Sequence, residues 1–178
     1  PVDRRFLLLS ESSAPAGPAE PCHDGPRRAF AAKYVMSFLP NIEPASLMVM
    51  LFAVVFGKKW VYPTYLYVAM EILFYGINLW SINYLYIWAV LALAALLLKD
   101  MQSAFGWAMV SGVFGLLFGV LCGIVDVFIG GVSYAVTKWV SGIPFDIAHC
   151  FGNFFITLVM FNPLRKLLEQ QYRKMTKK

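Results

Sequence analysis

Asp146 and His149 stand three residues apart in the C-terminal third of the chain, with Asn153 one helical turn further on. Residues three and four apart on a helix share a face, so these three would present a carboxylate, an imidazole and an amide in one direction. Such a face could hold a small polar ligand. It could equally be structural, with Asp146 favourable to a helix N-terminus and His149 hydrogen-bonded inside a bundle. A third option is a metal site completed by Asp126 or Glu43. A second group of polar and aromatic residues surrounds Asn78, Trp80, Asn83 and Tyr84. Amides beside an indole suit a flat heterocycle, stacked on one and bonded by the others, although Trp and Tyr also mark the headgroup level of a bilayer. Lys138 and Trp139 add a cation and another indole.

Glu71 lies between Met70 and Ile72. Facing lipid, its carboxylate would cost on the order of 3 kcal/mol, so it should turn inward, either bonded to a neighbouring helix or forming the floor of a ligand cavity. Ser111, Gly115, Gly119 and Gly123 recur every fourth residue. That spacing lays a flat stripe that lets another backbone approach, for bundle packing or as a sliding surface for a partner. No Gly-x-x-x-x-Gly-Lys-Ser/Thr, Gly-x-Ser-x-Gly or His-Glu-x-x-His string occurs, so neither a nucleotide-phosphate cradle nor a familiar hydrolase motif is present. Cys22, Cys122 and Cys150 form neither a Cys-x-x-Cys pair nor an even framework. No cofactor is expected.

The elements that must position these residues follow from composition. Of 178 residues, 60% are hydrophobic, 16% aromatic and 14% charged, against roughly 25% charged in a soluble domain. One small core cannot hide so much apolar surface, and a bilayer must supply the missing solvent. The net charge of +5 sits in short clusters rather than on one face, which argues against nucleic acid. Residues 1–28 are rich in Pro and Arg and read as a leader, tag or altered segment outside the fold. Residues 29–178 read as one all-α membrane domain.

Six helices are expected: Ala29 to Leu39, Ala45 to Phe56, Trp60 to Ile77, Ile82 to Leu98, Ala104 to Val127, and Phe145 to about Tyr172. Positive charge stays cytoplasmic during insertion. With an even number of spans and both termini cytoplasmic, Arg27, Arg28, Lys58, Lys59, Lys99, Arg165, Lys166, Arg173, Lys174, Lys177 and Lys178 fall on one side and Lys138 alone on the other. The outer connections would be Pro40 to Pro44, Asn78 to Asn83 and a long loop from Phe128 to Pro144. The candidate polar residues gather near them.

The strings Pro40-Asn-Ile-Glu-Pro44, Gly57-Lys-Lys59, Gly76-Ile-Asn-Leu-Trp-Ser-Ile-Asn-Tyr84 and Ser141-Gly-Ile-Pro-Phe-Asp-Ile-Ala-His149, with the six-helix layout, resemble the substrate-binding S component of energy-coupling factor transporters over about Ala29 to Lys174. The resemblance implies a non-enzymatic, multi-pass protein of the bacterial cytoplasmic membrane that captures a vitamin or related micronutrient at its outer face. It further implies docking on a transmembrane coupling subunit with two ATPase subunits, and import by toppling.

The family's Ala-x-x-x-Ala surface on the first helix is missing, since Ala29, Ala31 and Ala32 are followed four residues later by Lys33, Val35 and Met36. Ala29 and Ala32 are what remains there for packing or coupling. By position, the implied ligand contacts are Glu43, Asn78, Trp80, Asn83, Asp146, His149 and Asn153, with Glu71, Tyr84, Lys138 and Trp139 behind them. More acids than bases in the outer half favour a neutral or cationic ligand with an aromatic or macrocyclic body; thiamine-, pyridoxine-, queuosine- and cobalamin-like compounds all remain open. The competing readings are a small intramembrane metal-dependent enzyme built on Asp126, Asp146 and His149, and a structural membrane subunit.

Overall fold

Apolar runs punctuated by Gly, Pro and Asn set the helix boundaries. The computed structural model describes residues 44–176. Helix α1, Ala45–Phe56, ends where Gly57 takes φ 56° and ψ −133°, a conformation that favours glycine. A 3-10 turn, Gly57–Trp60, leads into α2, Val61–Tyr75. Pro63 lies in the first turn of α2, where its missing N–H would have had no helical partner.

Gly76, with φ 77°, ends α2, and Asn78 opens α3, Leu79–Leu97. The Ser81 N–H donates to Asn78 Oδ1 at 3.1 Å, and the Asn78 N–H donates to Ser81 Oγ at 3.3 Å. This reciprocal capping box satisfies two otherwise idle donors, and it starts α3 three residues before the expected Ile82. Ser103 Oγ accepts from the Gly106 N–H at 3.1 Å ahead of α4, Ala104–Thr176.

Helix α4 is two helices joined by one non-helical residue, Gly131, with φ 78° and ψ 177°. Its two limbs, 104–130 and 132–176, fold back on each other. Lys138 meets Asp126, Asp146 meets Gly119, Asn153 meets Ser111 and Trp107 stacks on Phe161. The partners of each pair lie on opposite sides of Gly131 and move outward from it together, so the limbs form an antiparallel hairpin.

The expected outer loop from Phe128 to Pro144 is therefore helical apart from Gly131. Thr137 and Ser141 explain part of this difference, because their hydroxyls donate to the carbonyls of Ser133 and Thr137 at 2.8 and 2.6 Å. Polar residues that suggest a loop thus satisfy themselves one turn back. Pro144 and Pro163 both lie within α4, which continues through each of them.

Helix α1 packs against both α3 and α4. Met50, Leu51 and Ala53 of α1, Ile87 and Leu91 of α3, and Trp107 and Phe161 of the hairpin are fully buried among them. The Trp107 and Phe161 rings stack with centroids 4.8 Å apart. Asn153 Nδ2 donates to Ser46 Oγ at 3.2 Å and reaches the Ser111 carbonyl at 3.5 Å, tying α1 to both limbs.

Outside this core the exposure pattern is that of a membrane protein. Leu73, Phe74, Leu93, Phe128, Phe151 and Phe155 point outward while Thr64, Ser111 and Thr157 are fully buried. Three helical stretches, Ala45–Tyr75, Leu79–Leu97 and Ala104–Lys174, are long and apolar enough to cross a membrane. Among the described residues no strand occurs, and the fold is all-α and membrane-embedded.

Charge divides along the bundle. Phe56 contacts Tyr172 at 5.2 Å between ring centroids, and Arg165 Nη1 reaches Gln102 Oε1 at 3.5 Å. These contacts gather Lys58, Lys59, Lys99, Arg165, Lys166, Arg173 and Lys174 at one end of the bundle. Lys138 lies at the other, beside the bend. The expected first helix, with Ala29 and Ala32, the connection carrying Glu43, and the leader all lie outside the described residues.

Candidate functional site

A cavity of ≈ 570 Å³ opens between the start of α3 and the hairpin, at the end away from the basic cluster. Its size falls in the range of small-molecule sites. Helix α3 contributes Leu79, Trp80 and Asn83. The capping box at Asn78 and Ser81 fixes where α3 begins, and so places the buried Asn83 and the exposed Trp80 at the cavity. Asn78 itself is spent on that cap and does not line the cavity.

Asn83 is anchored from behind. The Tyr86 hydroxyl donates to the Leu121 carbonyl at 2.6 Å, and Asn83 Oδ1 lies 3.0 Å from the same hydroxyl. A phenol has one proton, already committed to the shorter bond. The Asn83 contact is therefore best satisfied with the amide turned, so that its nitrogen donates to the phenol oxygen and its carbonyl is left for the cavity.

The first limb supplies Phe118, Gly119, Cys122 and Asp126. Cys122 is a buried free thiol. Asp126 and Lys138 close the mouth nearest the bend, with Nζ 2.6 Å from Oδ1 and side-chain exposures of 4% for the aspartate and 43% for the lysine. The ammonium also sits 5.8 Å from the Tyr134 ring centroid, within cation–π reach. A buried carboxylate facing a half-exposed ammonium forms a pair held from both limbs.

The second limb brings Trp139, Ser141 and Gly142, then Phe145, Asp146 and His149. Asp146 Oδ1 accepts the Gly119 N–H at 3.0 Å, a contact made possible by the bare Cα of Gly119, since an added methyl there would collide with Asp146 Oδ2. Asp146 is only 5% exposed, yet Oδ2 has no hydrogen-bond partner. His149 packs its ring 5.2 Å from that of Phe118, and its Nδ1 is likewise buried without a partner. Among the described residues, two carboxylates and one ammonium thus line a cavity that also presents two indoles and two phenyl rings.

Six of the residues expected from sequence meet here: Trp80, Asn83, Lys138, Trp139, Asp146 and His149. Asn153 is buried in the core knot with Ser46 and Ser111. Glu71 is half-buried on α2, and Tyr84 packs its ring on Trp88 at 5.4 Å; neither lines the cavity. Along the small-residue stripe, Ser111, Gly115 and Gly119 face the second limb, while nothing lies within 4 Å of a Cβ built on Gly123.

Phe118, Gly119, Cys122, Asp126 and Phe145 were missing from the expected contacts. Of these, Gly119 carried a sequence signal as part of the small-residue stripe, and Asp126 as a carboxylate near the end of an apolar helix, named in the metal reading. Among the described residues, no three His, Cys, Asp or Glu side chains converge in a way that could hold a metal ion. No protein-family model matches the chain, and neither a curated protein nor a solved structure matches it; the cavity itself must carry the functional reading.

Proposed function

We propose that this protein is the ligand-capturing membrane subunit of a micronutrient importer, of the S-component type that its loop strings resemble. The observation that carries the reading is the ≈ 570 Å³ cavity, with aromatic walls and a few convergent polar groups, at the end opposite the basic cluster. Under the positive-inside rule that cluster is cytoplasmic and the cavity opens outward. Six spans with both termini in the cytoplasm satisfy the same rule. As in the transporters that the strings resemble, energy for import would come from a coupling subunit and two ATPase subunits, and the sequence has no phosphate cradle of its own.

The polar atoms are arranged to hold and orient a molecule. Mass spectrometry of small molecules released from the purified protein tests the reading. A single organic compound should be retained by the parent chain and lost from W139A and H149A, with metal content unchanged. Absence of any retained compound, together with no thermal shift across a vitamin panel, would leave a purely structural subunit. Loss of a bound metal in H149A would point to an enzyme.

A further inference from the structure

We infer that the molecule held in this cavity is a planar, nitrogen-bearing cation, an amidinium or a protonated amino-heterocycle, whose N–H groups are received by Asp146. The inference rests on the capture reading above and specifies its ligand. Asp146 is 5% exposed and makes one hydrogen bond, to the Gly119 N–H, leaving Oδ2 idle. An unsatisfied buried acceptor is costly, and more so when charged. The other carboxylate of the cavity, Asp126, already has its counter-ion in Lys138 at 2.6 Å. Among the described residues that line the cavity, Asp146 is the carboxylate without a counter-ion, and a cationic ligand would supply one.

An anionic ligand fits poorly, because the one ammonium among the described residues lining the cavity is engaged by Asp126. The walls favour a flat cation for a second reason. Trp80, Trp139, Phe118 and Phe145 line the same space, and aromatic faces attract cations. His149 Nδ1, unpartnered and on the same helix face as Asp146, offers a second hydrogen bond about 4.5 Å further along the axis. Two polar atoms so spaced would fix the orientation of a ring and would do little for a freely rotating ammonium.

Three probes that differ only in charge test this: 2-naphthamidine, 2-naphthamide and 2-naphthoate, titrated calorimetrically into the full chain in nanodiscs of uncharged-headgroup lipid. The amidine should bind about tenfold or more tighter than the amide, and the naphthoate should not saturate. D146N keeps an acceptor for the Gly119 N–H and should bring amidine and amide to within about threefold of each other. G119A provides an independent check, because its methyl displaces the carboxylate while leaving its charge in place, and it should cause the same loss of preference. If naphthoate binds as well as the amidine, or the order survives both substitutions, the assignment to Asp146 is wrong while ligand capture stands. If none of the three saturates, capture in this cavity falls with it.

Discussion

Gly115 and Gly123 lie on one stripe of the same helix, yet alanine should act on them in opposite directions. A Cβ on Gly115 would sit 2.8 Å from the carbonyl carbon and oxygen of His149 and 2.9 Å from the Cys150 nitrogen. These are backbone atoms of the opposing limb and cannot swing aside as a side chain does. Restoring ordinary contact requires the limbs to part by about 0.6–1 Å, and overpacking of this kind costs about 1–3 kcal/mol. Alanine recovers about 0.8–1 kcal/mol of helix propensity, leaving G115A less stable by up to about 2 kcal/mol. At Gly123 nothing lies within 4 Å of the added carbon, so only the propensity gain of about 0.5–1 kcal/mol remains. Equilibrium unfolding of both variants in one detergent, titrated with dodecyl sulfate, measures the difference. A G115A protein as stable as G123A would refute the close antiparallel approach of the two limbs.

The Asp126 and Lys138 pair should be strongly coupled: K138M strands a carboxylate that is 4% exposed and should cost about 1–3 kcal/mol, with much of the loss recovered in D126N/K138M. A double-mutant cycle by thermal unfolding reads this directly, and additive losses would count against the pair. N78A should lose about 1 kcal/mol of stability with the removed cap while retained-ligand content and probe affinity stay unchanged. Loss of binding without loss of stability would return Asn78 to the site.

The helical segments were legible because a membrane chain announces its breaks: Gly57 and Gly76 end helices where their conformation demands glycine, and Asn78 begins one. Polar and indole residues near expected helix ends were also legible, which is why Trp80, Trp139, Asp146 and His149 were found. What stayed hidden was the lining drawn from the middle of an apolar helix. Phe118, Gly119 and Cys122 look like lipid-facing or core residues until the register about Gly131 places them opposite Asp146 and His149. Long-range bonds were equally silent: Asn153 and Ser46 are 107 residues apart, and nothing local distinguishes a core amide from a ligand-binding one. The stretch from Phe128 to Pro144 misled because Gly130, Gly131 and Pro144 are each breakers by type, while only Gly131 leaves the helix.

A turn made by one residue has no slack. Inserting or deleting a single amino acid between Gly131 and Asp146 would swing every later side chain by about 100° around the helix axis, carrying Asp146 and His149 away from Gly119 and Phe118 on the facing limb. The hairpin can therefore absorb exchanges of side-chain type at its bend far more readily than any change in length, and its binding geometry is written in residue count as much as in residue identity.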